Sequence, residues 1–232
     1  MKRLLIIVTM LVTHLSVAQI SNVNMNGAPA RLNSYSGVEG SPYLFEDWST
    51  ADINTINGGL KEDVAYKFNV HDNVLEVVNE AGNTIYLDKD FIDYAVLKRP
   101  SILIATGQEG LLPNLLFKKG FEMVKGVGPK DLVNVLSEGE KYTLIRKFYS
   151  DLVTPPKNSY SPTLGQSFVF EENFYLIDSD NNVESVRNKT NNIIKSLHEE
   201  DQAVAKDIVK EFKLDLSRED HLTIFFQKLN ET

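Results

Sequence analysis

The chain has 232 residues, no cysteine, 42% hydrophobic and 24% charged residues, and a formal net charge of −8. This composition is that of an ordinary globular protein, and it excludes disordered, collagen-like and disulfide-rich chains. The absence of cysteine excludes thiolate zinc sites, iron–sulfur clusters, cysteine nucleophiles and a lipid-carrying N-terminal cysteine. No basic run is longer than Lys118-Lys119, so this acidic chain has no electrostatic basis for binding nucleic acid.

The first eighteen residues carry the pattern of a secretory signal peptide. Lys2 and Arg3 precede an apolar run over residues 4–12, and Ser16-Val17-Ala18 supplies a small-x-small cleavage site. The apolar run is too short for a membrane span, which needs about 20 apolar residues. We therefore expect a signal peptide over residues 1–18, export to the periplasm or the cell exterior, and no transmembrane span once the signal is removed.

Residues 19–39 are rich in Asn, Ser, Gly and Ala and lack periodicity, which predicts a loose N-terminal arm. Residues 53–56 and Asn57-Gly58-Gly59 then indicate a strand that enters a tight hairpin, since Asn-Gly readily takes a type I′ turn. Apolar and polar residues alternate over 64–70, the period of a strand with one buried face. Turn residues then precede two more apolar segments, at 74–78 and 84–87, which are predicted to be strands. Together these strands form a predicted antiparallel meander.

The middle of the chain is less regular. Residues 102–105 form a short apolar run that predicts a buried strand, whereas repeated Gly and Pro residues over 106–129 prevent any assignment. The strand pattern then resumes with a hairpin, whose strands are predicted at 133–136 and 142–149. A Pro-rich loop is predicted over 155–162, followed by three further strands at 167–170, 174–177 and 183–186.

After Asn188 the hydrophobic period changes from two to about 3.6, which places the apolar residues on one face of several short helices. Ser217-Arg218-Glu219-Asp220 resembles a capping box and predicts that the last helix begins near Ser217. Short isolated helices are marginal in water, so we expect residues 189–232 to pack on a β domain of residues 40–188. The predicted fold class is α+β: a mainly antiparallel sheet, built as a sandwich, a barrel or an open sheet, with a small C-terminal helical unit.

No residue is predicted to be catalytic or to bind a metal or a cofactor. The histidines of the mature chain have no second histidine at metal-binding spacing, which predicts surface positions for His71, His198 and His221. Residues 178–182 match the first positions of a calcium loop, but the required Gly and Glu are replaced by Val183 and Lys189. A polar hairpin turn is predicted there instead.

Hydrolase chemistry has little support in the sequence. Neither G-x-S-x-G nor S-x-x-K is present, and Gly126-Val127-Gly128-Pro129-Lys130 completes no phosphate loop. Glycoside hydrolysis needs two carboxyl groups a set distance apart in a cleft. Candidates for such a pair are Glu46, Asp47, Asp88, Asp90 and Asp93.

The most distinctive segment is residues 40–48, which brings the only Trp of the chain together with two other aromatic residues. Pro42 favours an extended backbone there, because it fixes its own φ and restricts the residue before it. We predict that Tyr43, Phe45 and Trp48 anchor the core at the start of the β domain, with Trp48 buried. The alternative is that these aromatic residues form an exposed platform for a ligand.

This segment, the strands that follow it, and the tail from Phe174-Tyr175-Leu176 to Leu229-Asn230 resemble exported proteins of unknown function from bacteria of the Bacteroidetes type. The resemblance covers residues 40–97 and 173–230. It implies export and this organisation of the chain, and it brings no activity, cofactor or site residue with it.

Three functions follow from these observations. The leading hypothesis is an exported, non-catalytic cell-envelope protein that binds a protein or surface partner, since nine Tyr, twelve Phe and one Trp can supply a contact surface. The alternative is a β-barrel carrier of an apolar small ligand, with a cavity lined by Tyr66, Phe68, Tyr86 and Leu144. A hydrolase with paired carboxylates is third. An enclosed void of about 300–1,000 Å³ would favour the carrier, and a filled core would favour partner binding.

Overall fold

The computed structural model describes residues 25–31, 35–154 and 165–232. The predicted signal peptide and the predicted Pro-rich loop lie outside these residues. Within them, one sheet contains eleven strands: β1 (Gly27–Pro29), β2 (Ser49–Thr55), β3 (Gly59–Asn69), β4 (Val74–Val78), β5 (Thr84–Leu87), β6 (Ile92–Lys98), β7 (Asn114–Lys118), β8 (Val133–Ser137), β9 (Tyr142–Val153), β10 (Ser167–Asp178) and β11 (Val183–Val186).

The sheet is an antiparallel meander with the strand order β1-β5-β4-β3-β2-β6-β7-β8-β9-β10-β11. Its edge strands, β1 and β11, do not pair with each other, so the sheet is open. The predicted α+β class is therefore confirmed, and the open sheet is the one of the three predicted arrangements that the chain adopts. Strand β1 lies in the segment predicted as a loose arm and pairs with β5.

The open sheet is strongly curled. Strands β3 and β9 are separated by four strands in the sheet order, yet His71, just after β3, contacts Ser150 near the end of β9. His71 Nδ1 lies 2.7 Å from the carbonyl oxygen of Ser150, and the Ser150 hydroxyl donates to the carbonyl of Ser41 at 2.6 Å. The curl gives the sheet an inner and an outer face, and each strand alternates its side chains between them.

The inner face carries two hydrophobic clusters. Strands β2 to β7 supply the first, in which Phe68 and Phe117 pack edge to face with ring centres 5.0 Å apart. Strands β8 to β11 supply the second, which includes Leu144 and Phe174 and is completed by the C-terminal helices. A third, smaller cluster covers the outer face of β8 to β10, where Phe121 and Val124 from the preceding loop pack on Ile145.

Four α-helices lie in the described residues: α1 (Ser101–Thr106), α2 (Thr190–Ser196), α3 (Gln202–Glu211) and α4 (Glu219–Asn230). In α4, residues at spacings of three and four are fully buried, among them Leu222, Phe225 and Leu229. These side chains pack with the inner-face residues of β8 and β9, so the small C-terminal helical unit predicted from the period change is present and shares a core with the sheet.

One local prediction is wrong. Residues 102–105 are not a buried strand but most of helix α1, whose amides at Leu103 and Ile104 bond to the carbonyl of Pro100. Strand β6, immediately before it, already pairs with β2 on one side and β7 on the other, so the sheet has no place for another strand there. Helix α4 begins at Glu219, close to the predicted start near Ser217, but Ser217 donates to Asp215 and does not cap the helix.

Candidate functional site

Residues 42–44 form hydrogen bonds with residues 68–70, at the C-terminal end of β3, and so extend the antiparallel pairing of β2 with that strand. The amide of Leu44 donates to the carbonyl of Phe68 at 2.9 Å, and the amide of Val70 donates to the carbonyl of Pro42 at 2.8 Å. Tyr43 forms an isolated antiparallel bridge with Asn69. The segment that contains Pro42 therefore lies beside β3, which places its aromatic side chains at this end of the sheet.

The three aromatic residues of this segment have different surroundings. Phe45 is 8% exposed and belongs to the inner-face core, whereas Tyr43 is half-buried. Trp48 is 42% exposed, so the prediction that it is buried is wrong. The register explains this: Ser49 pairs with Tyr66, whose side chain faces inward, so the residue before Ser49 faces outward.

Trp48 and its neighbours form a groove on the outer face, which we call the aromatic groove and define by Tyr43, Trp48, Lys67, Glu76 and Tyr86. The cavity has a volume of about 560 Å³, within the usual size of ligand sites. Glu76 is paired with Lys67 on one side and with Tyr86 on the other in the strand register, which places these three side chains in a row across β3, β4 and β5.

Cation–π and hydrogen-bond contacts hold the groove together. The Lys67 ammonium lies 4.8 Å from the centre of the Tyr43 ring and 6.0 Å from that of Trp48. The Tyr43 hydroxyl donates to Glu76 Oε1 at 3.0 Å. At one end of the groove, the Tyr35 hydroxyl donates to Asp72 at 2.5 Å, and burial together with that carboxylate raises the pKa of Tyr35 to about 12.

Glu76 is the buried acid of the groove, with 4% of its surface exposed. Burial raises its pKa above the usual value, although the Tyr43 hydroxyl and the Lys67 charge act in the opposite direction. Burial also raises the pKa of Tyr43, and the charge of Glu76 adds to this effect. The groove thus combines aromatic surfaces with an ammonium group and a carboxylate that are already oriented.

The acidic residues considered for hydrolysis do not all line the aromatic groove. Glu46 lines the aromatic groove, whose described lining does not include Asp47, Asp88, Asp90 or Asp93. Asp90 pairs with Lys130 at 2.6 Å, Asp93 accepts from Asn54 at 2.9 Å, and Asp88 caps the short 3₁₀ turn after β5. Each of these aspartates therefore has a local structural contact at the surface.

The residues named for a carrier cavity do not share one. Three of them are packed in the inner-face core, with exposures of 1%, 2% and 0% for Tyr66, Phe68 and Leu144. Tyr86 lies on the outer face, opposite Glu76 in the register of β4 and β5. The expectation of a common cavity for these four side chains is wrong, because three of them are packed in the core and Tyr86 lies on the opposite face of the sheet.

Residues 178–182 form the predicted polar turn, between β10 and β11. The Asp178 carboxylate accepts from the amides of Asp180 at 2.9 Å and Asn182 at 2.8 Å, and it also contacts His198 Nε2 at 3.0 Å. Possible ligand atoms of His198, Glu200 and Asp201 lie within 4.8 Å of one another. Asp201 accepts from the Tyr142 hydroxyl at 2.8 Å, so this surface group is part of the contact between the helices and β9.

A second cavity lies on the inner face, where β9 and β10 meet the loops before α2 and α4. Its volume is about 320 Å³. We call it the sheet–helix cleft and define it by Leu103, Arg146, Phe170, Glu172, Asn188 and Glu219. It is a half-open cleft rather than an enclosed apolar void.

A buried ionic network forms the floor of the sheet–helix cleft. Glu219 accepts from Arg146 at 2.6 Å, from Arg99 at 2.9 Å and from the amide of Leu112 at 2.8 Å. Arg146 also donates twice to Asn134 Oδ1, at 2.9 and 3.1 Å. Burial alone would raise the pKa of Glu219, but the Arg146 charge and these hydrogen bonds outweigh it and hold that pKa below its usual value.

Neither cavity was assigned from the sequence. A signal for the network was nevertheless present, because Arg146 shares its strand face with Tyr142, Leu144 and Phe148, and an unpaired charge among such residues is costly. No comparable signal distinguishes Glu76 from the other acidic residues that alternate with apolar ones.

Within residues 25–31, 35–154 and 165–232, no helix has the length and apolar character needed to cross a membrane. Comparisons with protein-family models, with curated proteins and with solved structures find no match for this chain.

Proposed function

We propose that this chain is an exported, non-catalytic cell-envelope protein that binds a surface partner through the aromatic groove. The N-terminal pattern of residues 1–18 supports export. The observation that carries the binding role is the exposed indole of Trp48 beside Tyr43 and Lys67. Large aromatic side chains left in contact with water are enriched at binding surfaces, where a partner covers them.

The lining of the groove favours a saccharide chain as this partner. Sugar rings have C–H faces that pack on aromatic rings, as Trp48, Tyr43 and Tyr86 would allow, and hydroxyl groups that exchange hydrogen bonds with charged side chains. Lys67 and Glu76 lie between the rings and offer both a donor and an acceptor. An apolar peptide would cover these two charged groups without giving them hydrogen bonds, which is unfavourable.

Trp48→Ala tests this proposal. We expect calorimetric titration with cellohexaose, maltohexaose and chitohexaose to show binding of at least one of them, about tenfold weaker in the variant. The emission of the wild-type Trp should shift to shorter wavelength as a sugar covers it. Phe212→Ala is the matched control, because Phe212, immediately after α3, is 44% exposed and lies outside the groove lining.

The same variant separates binding from folding. An exposed side chain contributes little to stability, so Trp48→Ala should change the free energy of unfolding by no more than about 0.5 kcal/mol. A loss of about 3–5 kcal/mol would instead be that of a buried aromatic residue and would contradict the exposed platform. Equal sugar affinity in the variant and the wild type, or no sugar binding by a folded wild type, would contradict the saccharide proposal.

A further inference from the structure

The aromatic groove follows a single row of side chains across the sheet. In the strand register, Glu76 has Lys67 on one side and Tyr86 on the other. Tyr86 is in turn opposite Ala28 of β1. Continuing the register of β2 and β3 by one residue adds Trp48 beside Lys67, whose ammonium lies 6.0 Å from the centre of the indole. The row therefore runs across the strands, from the start of β2 to the edge strand β1.

A second cavity continues this row at the edge of the sheet. Its volume is about 700 Å³, and we call it the edge cavity and define it by Ala28, Ala30, Arg31, Asn69 and Tyr86. Arg31, Asn69 and Tyr86 also line the aromatic groove, so the two cavities adjoin. The Tyr86 hydroxyl accepts from the amide of Arg31 at 3.0 Å and donates to the carbonyl of the same residue at 3.3 Å, which holds the tyrosine at the boundary between the cavities.

The row is longer than a single sugar needs. Neighbouring strands lie about 4.8 Å apart, so the four spacings from Trp48 to Ala28 span roughly 19 Å. Each ring of an extended, β-linked saccharide chain adds a length close to one strand spacing. Trp48 and Tyr86 are three spacings apart, so a chain that contacts both rings passes over the charged pair of Lys67 and Glu76 between them.

Both ends of the row are open in the described part of the chain. At one end, Trp48 is 42% exposed. At the other end, β1 is the edge strand of the sheet, and Ala28 is exposed and has only a methyl group as its side chain. A ligand that fills the row can therefore continue beyond it in both directions.

We propose that the aromatic groove and the edge cavity together bind an internal segment of about five units from a long, extended polysaccharide chain, which lies across the strands. This inference rests on the saccharide-binding function proposed above. One unit packs on Trp48 and another on Tyr86, and the units between them form hydrogen bonds with Lys67 and Glu76. A chain that winds into a helix, such as maltohexaose, turns its rings away from a linear row and fits poorly.

The dependence of affinity on chain length tests the extended site. The probes are cello- and chito-oligosaccharides of two, four and six units. A disaccharide is too short to contact both Trp48 and Tyr86, whereas a hexasaccharide fills the row. Contacts made by one continuous chain reinforce each other, so we expect calorimetric titration to show about tenfold tighter binding of the hexasaccharide than of the disaccharide.

Two variants shorten the row. Tyr86→Ala removes the second ring, and Ala28→Ile places a branched side chain in the row at β1. Each should reduce the gain in affinity between disaccharide and hexasaccharide to about threefold or less. Tyr94→Ala is the matched control for Tyr86: Tyr94 is also half-buried on a strand, β6, but it lies outside both linings, and this variant should keep the full gain.

A long polymer distinguishes an internal segment from a chain end. Gels for affinity electrophoresis are cast with hydroxyethyl cellulose or glycol chitin, in which internal segments far outnumber chain ends. One of these polymers should retard the wild type. The Trp48→Ala protein should be retarded less in the same gel and should migrate like the wild type in a gel without polymer.

The results separate this inference from the function on which it rests. No saccharide binding by the folded wild type would contradict both. Four other results would leave saccharide binding in place and overturn the extended site. They are equal affinity for the disaccharide and the hexasaccharide, an undiminished gain in folded Tyr86→Ala and Ala28→Ile proteins, tighter binding of maltohexaose than of the β-linked hexasaccharides, and no retardation by either polymer.

Discussion

Glu219 connects three parts of the molecule through a single carboxylate, since it binds Arg146 of β9, Arg99 after β6 and the amide of Leu112. Glu219→Gln keeps the shape of this side chain but removes the carboxylate charge closest to the buried Arg146 and paired with the largely buried Arg99. Breaking a buried pair in this way typically costs about 3–5 kcal/mol. We expect a loss of that order in the free energy of unfolding at neutral pH, measured by urea denaturation.

The pH dependence of this loss has a definite sign. The network holds the pKa of Glu219 below its unfolded value, so the stabilisation is complete above the unfolded pKa and disappears as the pH falls through the lower, folded pKa. The difference between wild type and Glu219→Gln should therefore shrink as the solution is acidified below the usual pKa of glutamate. Glu211→Gln, an exposed change on α3, should show no such trend. A difference that stayed constant with pH would contradict the ionised role of Glu219.

The sequence predicts the surroundings of some individual residues and not of others. The burial of Phe45 was within reach, because large apolar residues near a predicted strand are usually inside. The exposure of Trp48 depends on one register, Ser49 opposite Tyr66, and a shift of one residue would have turned the indole inward. The partner of Arg146 lies 73 positions away along the chain, and no local pattern encodes a contact of that kind.

At the scale of elements, the strands with clean alternation and the helices after Asn188 were predictable. Strands β6 and β7 were not, since Gly and Pro interrupt the surrounding sequence and β6 carries a bulge opposite β2. The apolar run of α1 looked like a strand because hydrophobicity alone does not distinguish a buried strand from an exposed short helix. The four side chains predicted to line a carrier cavity do not share one face of the sheet, because Tyr86 lies on the outer face and the other three on the inner face.

The dependence of the sheet on its helices can be tested by ending the chain after Asn188. This truncation removes α2 to α4, exposes the inner-face side chains of Leu144 and Phe174, and takes away the Glu219 partner of Arg146. We expect lower solubility and a melting temperature well below that of the full-length protein, measured by circular dichroism. Adding the peptide 189–232 in trans should recover part of the loss. An unchanged melting temperature would mean that the helices form an independent unit.

For the whole molecule, the proposal of export has a direct test. Lys2, Arg3 and the apolar run predict that the export machinery removes residues 1–18. Intact mass spectrometry of protein recovered from a bacterial periplasm or culture medium should give a chain that begins at Gln19. A variant with Ala18→Arg should be processed poorly, because the cleavage site requires a small residue there. Recovery of the wild type with Met1 still attached would contradict export with signal removal.

The open sheet has a further consequence, which concerns contacts between copies of the chain. A sheet that does not close has two free edges, and long free edges invite other strands to add to them and form aggregates. Here the edges are short: β1 has three residues, including Pro29, which lacks an amide hydrogen, and β11 has four. The start of β10, which extends past β11, is covered by Glu39, whose carbonyl accepts from Phe168 at 2.8 Å. The chain thus limits edge-to-edge polymerisation although its sheet does not close.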